Sequence, residues 1–220
     1  MDLIIETLAA ELVGQLVEGD FGEDLFLLPC VGSTSFSHLQ STGPSFPLEL
    51  FMTNSTGSRL YLLQQRSSPA PGLQGAFAAS LVDWAQSQGV REIWTLGSLD
   101  GRFRRDSQLA GSQLRCYADG KQRDACLHAN ILPLEEDWFA DLPLERRLLP
   151  PWPLHKACKS RETVACASIL IFALEGNNVP EAHLLADAAV TAVPALKYRF
   201  EEIDSPQWRC PAIWLHLGLV

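Results

Sequence analysis

No stretch of this 220-residue chain reaches the roughly 18 consecutive apolar residues of a helical membrane span. Positive charge is scarce as well: 17 Lys and Arg stand against 26 Asp and Glu, a net charge of −9. A nucleic-acid surface needs a basic face, and the longest basic cluster, Arg102-Phe103-Arg104-Arg105, is too short to make one. Acidic Asp2 stands where a secretory signal carries positive charge. The six cysteines lack short regular spacing, which predicts reduced thiols in a cytoplasmic or nuclear protein. Cys116 with Cys126, and His155 with Cys158, come nearest to a metal pattern. Neither has the paired spacing of a structural zinc site. Gly-x-Ser-x-Gly, phosphate-loop and Gly-x-Gly-x-x-Gly motifs are missing. The five histidines, His38 and His183 among them, are scattered and pair with no carboxylate in a catalytic pattern. No catalytic residue, metal or cofactor is therefore expected. Cys30, after Pro29 at a strand end, is the candidate reactive thiol, and Cys166 is expected in the core.

What is present is an ordinary globular composition, 47% hydrophobic, in a chain long enough for one large domain. Apolar residues at Ile4, Ile5, Leu8, Leu12, Val13 and Leu16 predict one helix over 2–17. A strand is expected at 23–29, then a loop rich in Ser, Thr, Gly and Pro over 32–47. Segments 48–53 and 59–66 predict a hairpin, and 74–88 a helix ended by Gly89. A short buried strand follows at 92–96, a polar loop at 97–105, and another strand at 114–117. The loop sits where an open α/β sheet places its ligand crevice. Residues 132–154 carry Pro133, Pro143, Pro150, Pro151 and Pro153 among Trp138, Phe139 and Trp152. They read as an irregular excursion with one short helix at 135–140. The order as a whole is mixed α/β.

Near the end, two apolar runs at 164–174 and 182–190 read as helices joined by Glu175-Gly176-Asn177-Asn178-Val179-Pro180-Glu181-Ala182. Gly176 suits a left-handed helix stop. Asn178 suits an N-cap with Glu181 three residues on to close a capping box, and Pro180 suits a first helical turn. Six tryptophans are many for this length. Trp152, Trp208 and Trp214 fall outside the regular helices, as candidate aromatic anchors for a protein partner.

Several segments, taken in order, resemble the proteasome assembly chaperone 2 family. They are Met1-Asp2-Leu3-Ile4-Ile5-Glu6-Thr7-Leu8, Leu28-Pro29-Cys30-Val31-Gly32 and Leu62-Leu63-Gln64-Gln65-Arg66-Ser67. Phe77, Leu81, Trp84, Ser87 and Gly89 follow, then Asp106-Ser107-Gln108-Leu109 and the turn around Gly176. Trp208-Arg209-Cys210-Pro211-Ala212-Ile213-Trp214 closes the match. The resemblance implies a three-layer αβα single domain over 1–220 with nucleoside-phosphorylase-like topology and no enzyme activity. It also implies a heterodimer with a proteasome assembly chaperone 1 relative, docked on proteasome α subunits and blocking off-pathway α-ring association. The protein-binding residues would be Trp208, Trp214, Leu217, Leu219 and Val220; Gly176, Asn178, Pro180 and Glu181 would build the turn. Three features depart from the family. The tail Leu217-Gly218-Leu219-Val220 has leucine in place of tyrosine, Pro150-Pro151-Trp152-Pro153 replaces a glycine-rich stretch, and the strand before the first helix is missing. The alternative is a nucleoside-phosphorylase-like enzyme or small-ligand-binding domain sharing the fold.

Overall fold

Two units organise the chain: Met1–Ala70 with Pro194–Val220, and Pro71–Val193. The structure, a computed structural model, describes residues 1–15, 47–53, 59–135, 138, 151–162, 164–203 and 207–208. The expected strand at 23–29, with Cys30 and His38, lies outside the described residues, as do 139–150, Trp214, Leu217, Leu219 and Val220.

The first unit holds α1 (Asp2–Thr7), then β1 (Glu11–Gln15), β2 (Leu48–Thr53) and β3 (Leu60–Gln65), and α7 (Pro194–Glu201). The three strands form an antiparallel sheet in the order β1-β2-β3. The predicted hairpin is present, with Leu48 opposite Gln65 and Thr53 opposite Leu60. The single helix expected over 2–17 is corrected. The helix stops at Thr7, Ala9 turns the chain at φ 47°, and Glu11–Gln15 pairs with β2 instead. Leu12 and Val13, expected on the buried stripe, are exposed on that strand. In α1 itself Leu3, Ile4 and Ile5 are all buried. Arg66 ties the helix to the hairpin: its Nε donates to Glu49 at 2.7 Å, and its Nη2 lies 3.4 Å from Asp2.

The second unit runs α2 (Gln74–Ser87), β4 (Glu92–Asp100), a 3₁₀ turn (Gly101–Phe103), α3 (Asp106–Leu109), β5 (Leu114–Tyr117) and α4 (Gly120–His128). It continues with β6 (Leu132–Pro133), α5 (Trp152–Arg161), β7 (Ala165–Ala173) and α6 (Val179–Ala192). Its sheet has the order β4-β7-β5-β6. β4 pairs with β7 in parallel from Glu92 opposite Ala165 to Asp100 opposite Ala173. β5 runs antiparallel to β7 and parallel to β6. Helices α4, α5 and α6 pack on β7, and α2 packs on α5. A bidentate Arg161–Asp83 fork, at 2.5 and 2.9 Å, joins those last two helices on the surface. Leu99, Leu134, Trp138, Leu170 and Phe172 form one buried cluster, with Phe103 and Trp152 packed against it. The expected α/β class, with helices against sheets, is the observed one.

The largest correction concerns 164–174, which is no helix but the central strand β7. A continuous apolar run has no period to distinguish the two, and a strand buried on both faces reads this way. The turn that follows therefore joins a strand to a helix. Gly176 does take a positive φ, 141°, and Pro180 does sit in the first turn of α6. The capping box does not form. Asn178 makes no side-chain cap bond, and the Asn177 Oδ1 accepts from the Val179 N–H at 3.1 Å instead. β4 also extends four residues past its expected end, through Gly97–Asp100. Within 132–154, Leu132–Pro133 pairs as β6 and Trp152 opens α5.

Ile169 has no exposed surface and sits in mid-strand. Ile169→Ala is expected to cost about 2–5 kcal/mol by transfer and cavity terms. Leu174→Ala, one residue past the strand and mostly exposed, should stay within about 0.5 kcal/mol. Urea unfolding followed by circular dichroism checks the pair.

Candidate functional site

The register places two groups of loops at opposite ends of the second unit's sheet. β4 and β7 both finish, and β5 starts, at one end, where the Phe172 N–H donates to the Gln113 carbonyl at 3.0 Å. The chain between β4 and β5 opens on Asp100, whose carboxylate accepts from the Arg102 backbone N–H at 3.0 Å and from its guanidinium. Gly101 sits close to its neighbours there: a Cβ would stand 3.1 Å from the Leu174 Cδ2 and 3.3 Å from the Ala173 carbonyl.

Gln108, from the Asp106-Ser107-Gln108-Leu109 motif, locks this end. It is 0% exposed. Its Oε1 accepts from the Arg105 N–H at 2.9 Å and its Nε2 donates to Glu135, while its carbonyl accepts from Arg104. Glu135 also lies 3.5 Å from the buried Arg115 guanidinium, which donates to the carbonyls of Ser112 and Leu114. The Arg104 and Arg115 guanidiniums both lie over the Phe172 ring, at 5.6 and 5.9 Å. Next to this lock, Leu109 is 61% exposed and Leu174 59% exposed at the same end of the sheet. Both are large apolar side chains left to solvent. The spacing of the motif identified its members, but only the fold shows that its glutamine works inward and its leucine outward.

The opposite end carries a cavity of about 820 Å³. This cavity lies at the N-terminal ends of β4 and β7, apart from the 97–105 segment, of which 97–100 are strand and not loop. Among its lining residues are Tyr117, Trp152, His155, Lys156, Cys158 and Cys166. Tyr117 meets Trp152 and His155 edge-on, with centroids 5.0 and 4.7 Å apart. The His155 Nε2 lies 2.7 Å from the Ser168 Oγ, which lies 2.5 Å from the Thr95 Oγ1. Burial holds the His155 imidazole well down, at a pKa of about 4, against the raising effect of Asp119. A histidine beside a serine resembles a nucleophile with its base. Ser168, however, is 0% exposed and not on the cavity wall, so the pair ties α5 to β7. His155 and Cys158 do share the cavity, yet among the described residues no group of three His, Cys, Asp or Glu could hold a metal. Cys166, expected in the core of a helix, is half-buried on a strand at the cavity. Trp152, expected outside the helices, opens α5.

Of the other sequence-derived site residues, Trp208 is half-buried in the first unit, its ring 5.0 Å from Phe200. The turn residues Gly176, Asn178, Pro180 and Glu181 follow Leu174 at the loop end. No helix of the described residues is long and apolar enough to cross a membrane.

A profile described as "PAC2 family" matches residues 1–188. Proteasome assembly chaperone 2 of Nematostella vectensis is 27% identical over 194 residues, which cover 82% of this chain and 77% of that protein. Proteasome assembly chaperone 2 of Danio rerio is 25% identical over 225 residues, covering 97% and 83%. Among solved structures, a Thermoplasma acidophilum protein of unknown function superposes with TM-score 0.58 at 14% identity, over 98% of this chain and 81% of that one. Pyrococcus furiosus PbaA, an archaeal homolog of proteasome-assembly chaperone, superposes with TM-score 0.54 at 12% identity, over 99% and 80%. At these identities the superpositions speak for the fold.

Two outcomes follow from the geometry. Gln108→Ala strips Glu135 and the Arg105 N–H of a buried partner, a loss of about 1–3 kcal/mol, readable as a lower urea midpoint. For His155, the unfolded chain protonates near pH 6.5 and the folded one only near 4. Between those values the unfolded state binds more protons, so this residue's contribution is full above pH 6.5 and declines toward pH 4. The loss is on the order of 3 kcal/mol. Urea midpoints across that window should fall less steeply for His155→Gln than for the parent chain; parallel curves would refute the assignment.

Proposed function

Because the chain belongs to the PAC2 family, we propose that it is a non-catalytic chaperone for assembly of the proteasome core particle. The observation that carries this reading is the family match across residues 1–188, joined to relatives named proteasome assembly chaperone 2. In the proposal the chain forms a heterodimer with a chaperone 1 relative in the cytoplasm and nucleus. The pair covers α-ring surface and disfavours off-pathway association of α rings until β subunits arrive.

The loop end of the second unit supplies a surface for such contact, with Leu109 and Leu174 exposed on a frame locked by Gln108. The tail residues Leu217, Leu219 and Val220, with Trp208 and Trp214, are further candidate contacts. A net charge of −9 favours approach to a basic rim, through attraction that salt screens.

The cavity beside His155 supports a second reading, a small-ligand-binding domain. A thermal-shift screen with nucleosides and phosphate separates the two readings.

Affinity capture of the tagged chain from its own cells, read by mass spectrometry, is expected to recover a chaperone 1 relative and α subunits with few mature β subunits. Capture should weaken as salt is raised. A soluble, monomeric bait that brings neither partner would sink the proposal.

A further inference from the structure

The cavity at the N-terminal ends of β4 and β7 is walled by two kinds of side chain, aromatic rings and unpaired cations. Its volume of about 820 Å³ is in the range of sites that enclose a small organic molecule. Tyr117, Trp152 and His155 supply the rings. The Trp152 and His155 planes lie within 35° of each other, and Tyr117 stands at 87° and 81° to them. A flat ring laid parallel to Trp152 would meet Tyr117 edge-on, so both arrangements that aromatic pairs favour are offered at one corner. Burial keeps the imidazole uncharged in the neutral range, at a pKa of about 4. The rings therefore bring contact area without charge.

Charge comes from the rim. Arg91, ahead of β4, and Lys156 and Lys159, on α5, line the same cavity and are exposed. The two lysines stand three residues apart on one helix face, where like charges repel. Among the described residues, none of these three side chains has a hydrogen bond or an ion pair. Elsewhere Arg66, Arg102, Arg115, Arg161 and Arg199 each hold a carboxylate within 3.5 Å. Asp119 and Glu162 also line the cavity, so three cations face two carboxylates there, in a chain whose net charge is −9. The wall is thus positive by one charge where the chain as a whole is acidic. We propose that this cavity is a binding site for a small aromatic anion, a planar ring carrying a carboxylate or a phosphate. The ring would rest against Trp152 and Tyr117, and the anionic group would sit among Arg91, Lys156 and Lys159. Lysine meets such a group as a point charge, and arginine through its fork of N–H donors. This inference deepens the small-ligand reading of the same cavity and rests on it; the assembly role does not enter.

Calorimetric titration of the full chain at fixed ionic strength tests it with four probes. Naphthoate and naphthyl phosphate carry ring and anion together, naphthalenemethanol carries the ring uncharged, and cyclohexanecarboxylate carries the anion without an aromatic ring. At least one of the two aromatic anions is expected to bind at a single site, and the tighter of them tells a carboxylate ligand from a phosphate one. Both controls should bind at least about tenfold more weakly, a difference of about 1.4 kcal/mol. Replacing both exposed lysines, Lys156→Gln with Lys159→Gln, should weaken the aromatic anion about three- to tenfold at an unchanged urea midpoint. Lys197→Gln, in the first unit, should leave the affinity as it was. Equal affinity for either control, or anion binding untouched by the double substitution, would overturn the proposal and leave the small-ligand reading standing. If neither aromatic anion binds at millimolar concentration, the proposal falls; if the nucleoside screen is also empty, the small-ligand reading falls with it.

Discussion

The second unit depends on one strand, β7, being buried on both faces. Ala167 to Phe172 are all buried, flanked by β4 in parallel and β5 in antiparallel register. Each fully buried Ile, Leu or Phe contributes about 1.5–3 kcal/mol by removal from water. Three helices pack on this strand, so its displacement would uncover much of the unit at once. Apolar burial alone does not choose a register, because Ile169, Leu170, Ile171 and Phe172 present similar surfaces one residue apart.

Ser168 supplies that choice. A hydroxyl buried without a partner costs about 1–3 kcal/mol. Here it is satisfied from two sides: by Thr95, its register partner on β4, and by His155 from α5. A slip of one residue would carry the hydroxyl to the other face of the sheet and away from both. One polar atom in an apolar strand thus fixes the neighbour beside it and the helix above it. Keeping His155 uncharged is part of the same arrangement, since burial opposes protonation at the point where α5 meets the strand.

How far the sequence was legible follows from how local each signal is. The hairpin, the helix ended by Gly89, and the strand at Leu114–Tyr117 carry alternation or punctuation within a few residues, and all appear. The segment 164–174 failed because a two-face-buried strand has no period, leaving length as the only guide. Residues 2–17 failed because β1 exists through its pairing with β2, more than thirty positions on. Of the site, the motif around Gln108 was legible as a pattern. The cavity was not: His155, Tyr117, Cys158 and Cys166 come from three separate elements, and nothing local in the sequence foretells their meeting.

The same non-local logic governs the surface offered to a partner. Leu109 belongs to α3, a helix of four residues, far below the length at which a helix holds itself in water. Its position therefore comes from its neighbour in the chain, Gln108, which is held by Glu135 and, through Arg104 and Arg115, stacked on Phe172 of β7. The peptide bond between them ties the backbone that carries the outward leucine to the buried glutamine. Any contact made through Leu109 thus inherits its geometry from the strand at the centre of the unit. Specificity at that surface is a property of the core beneath it.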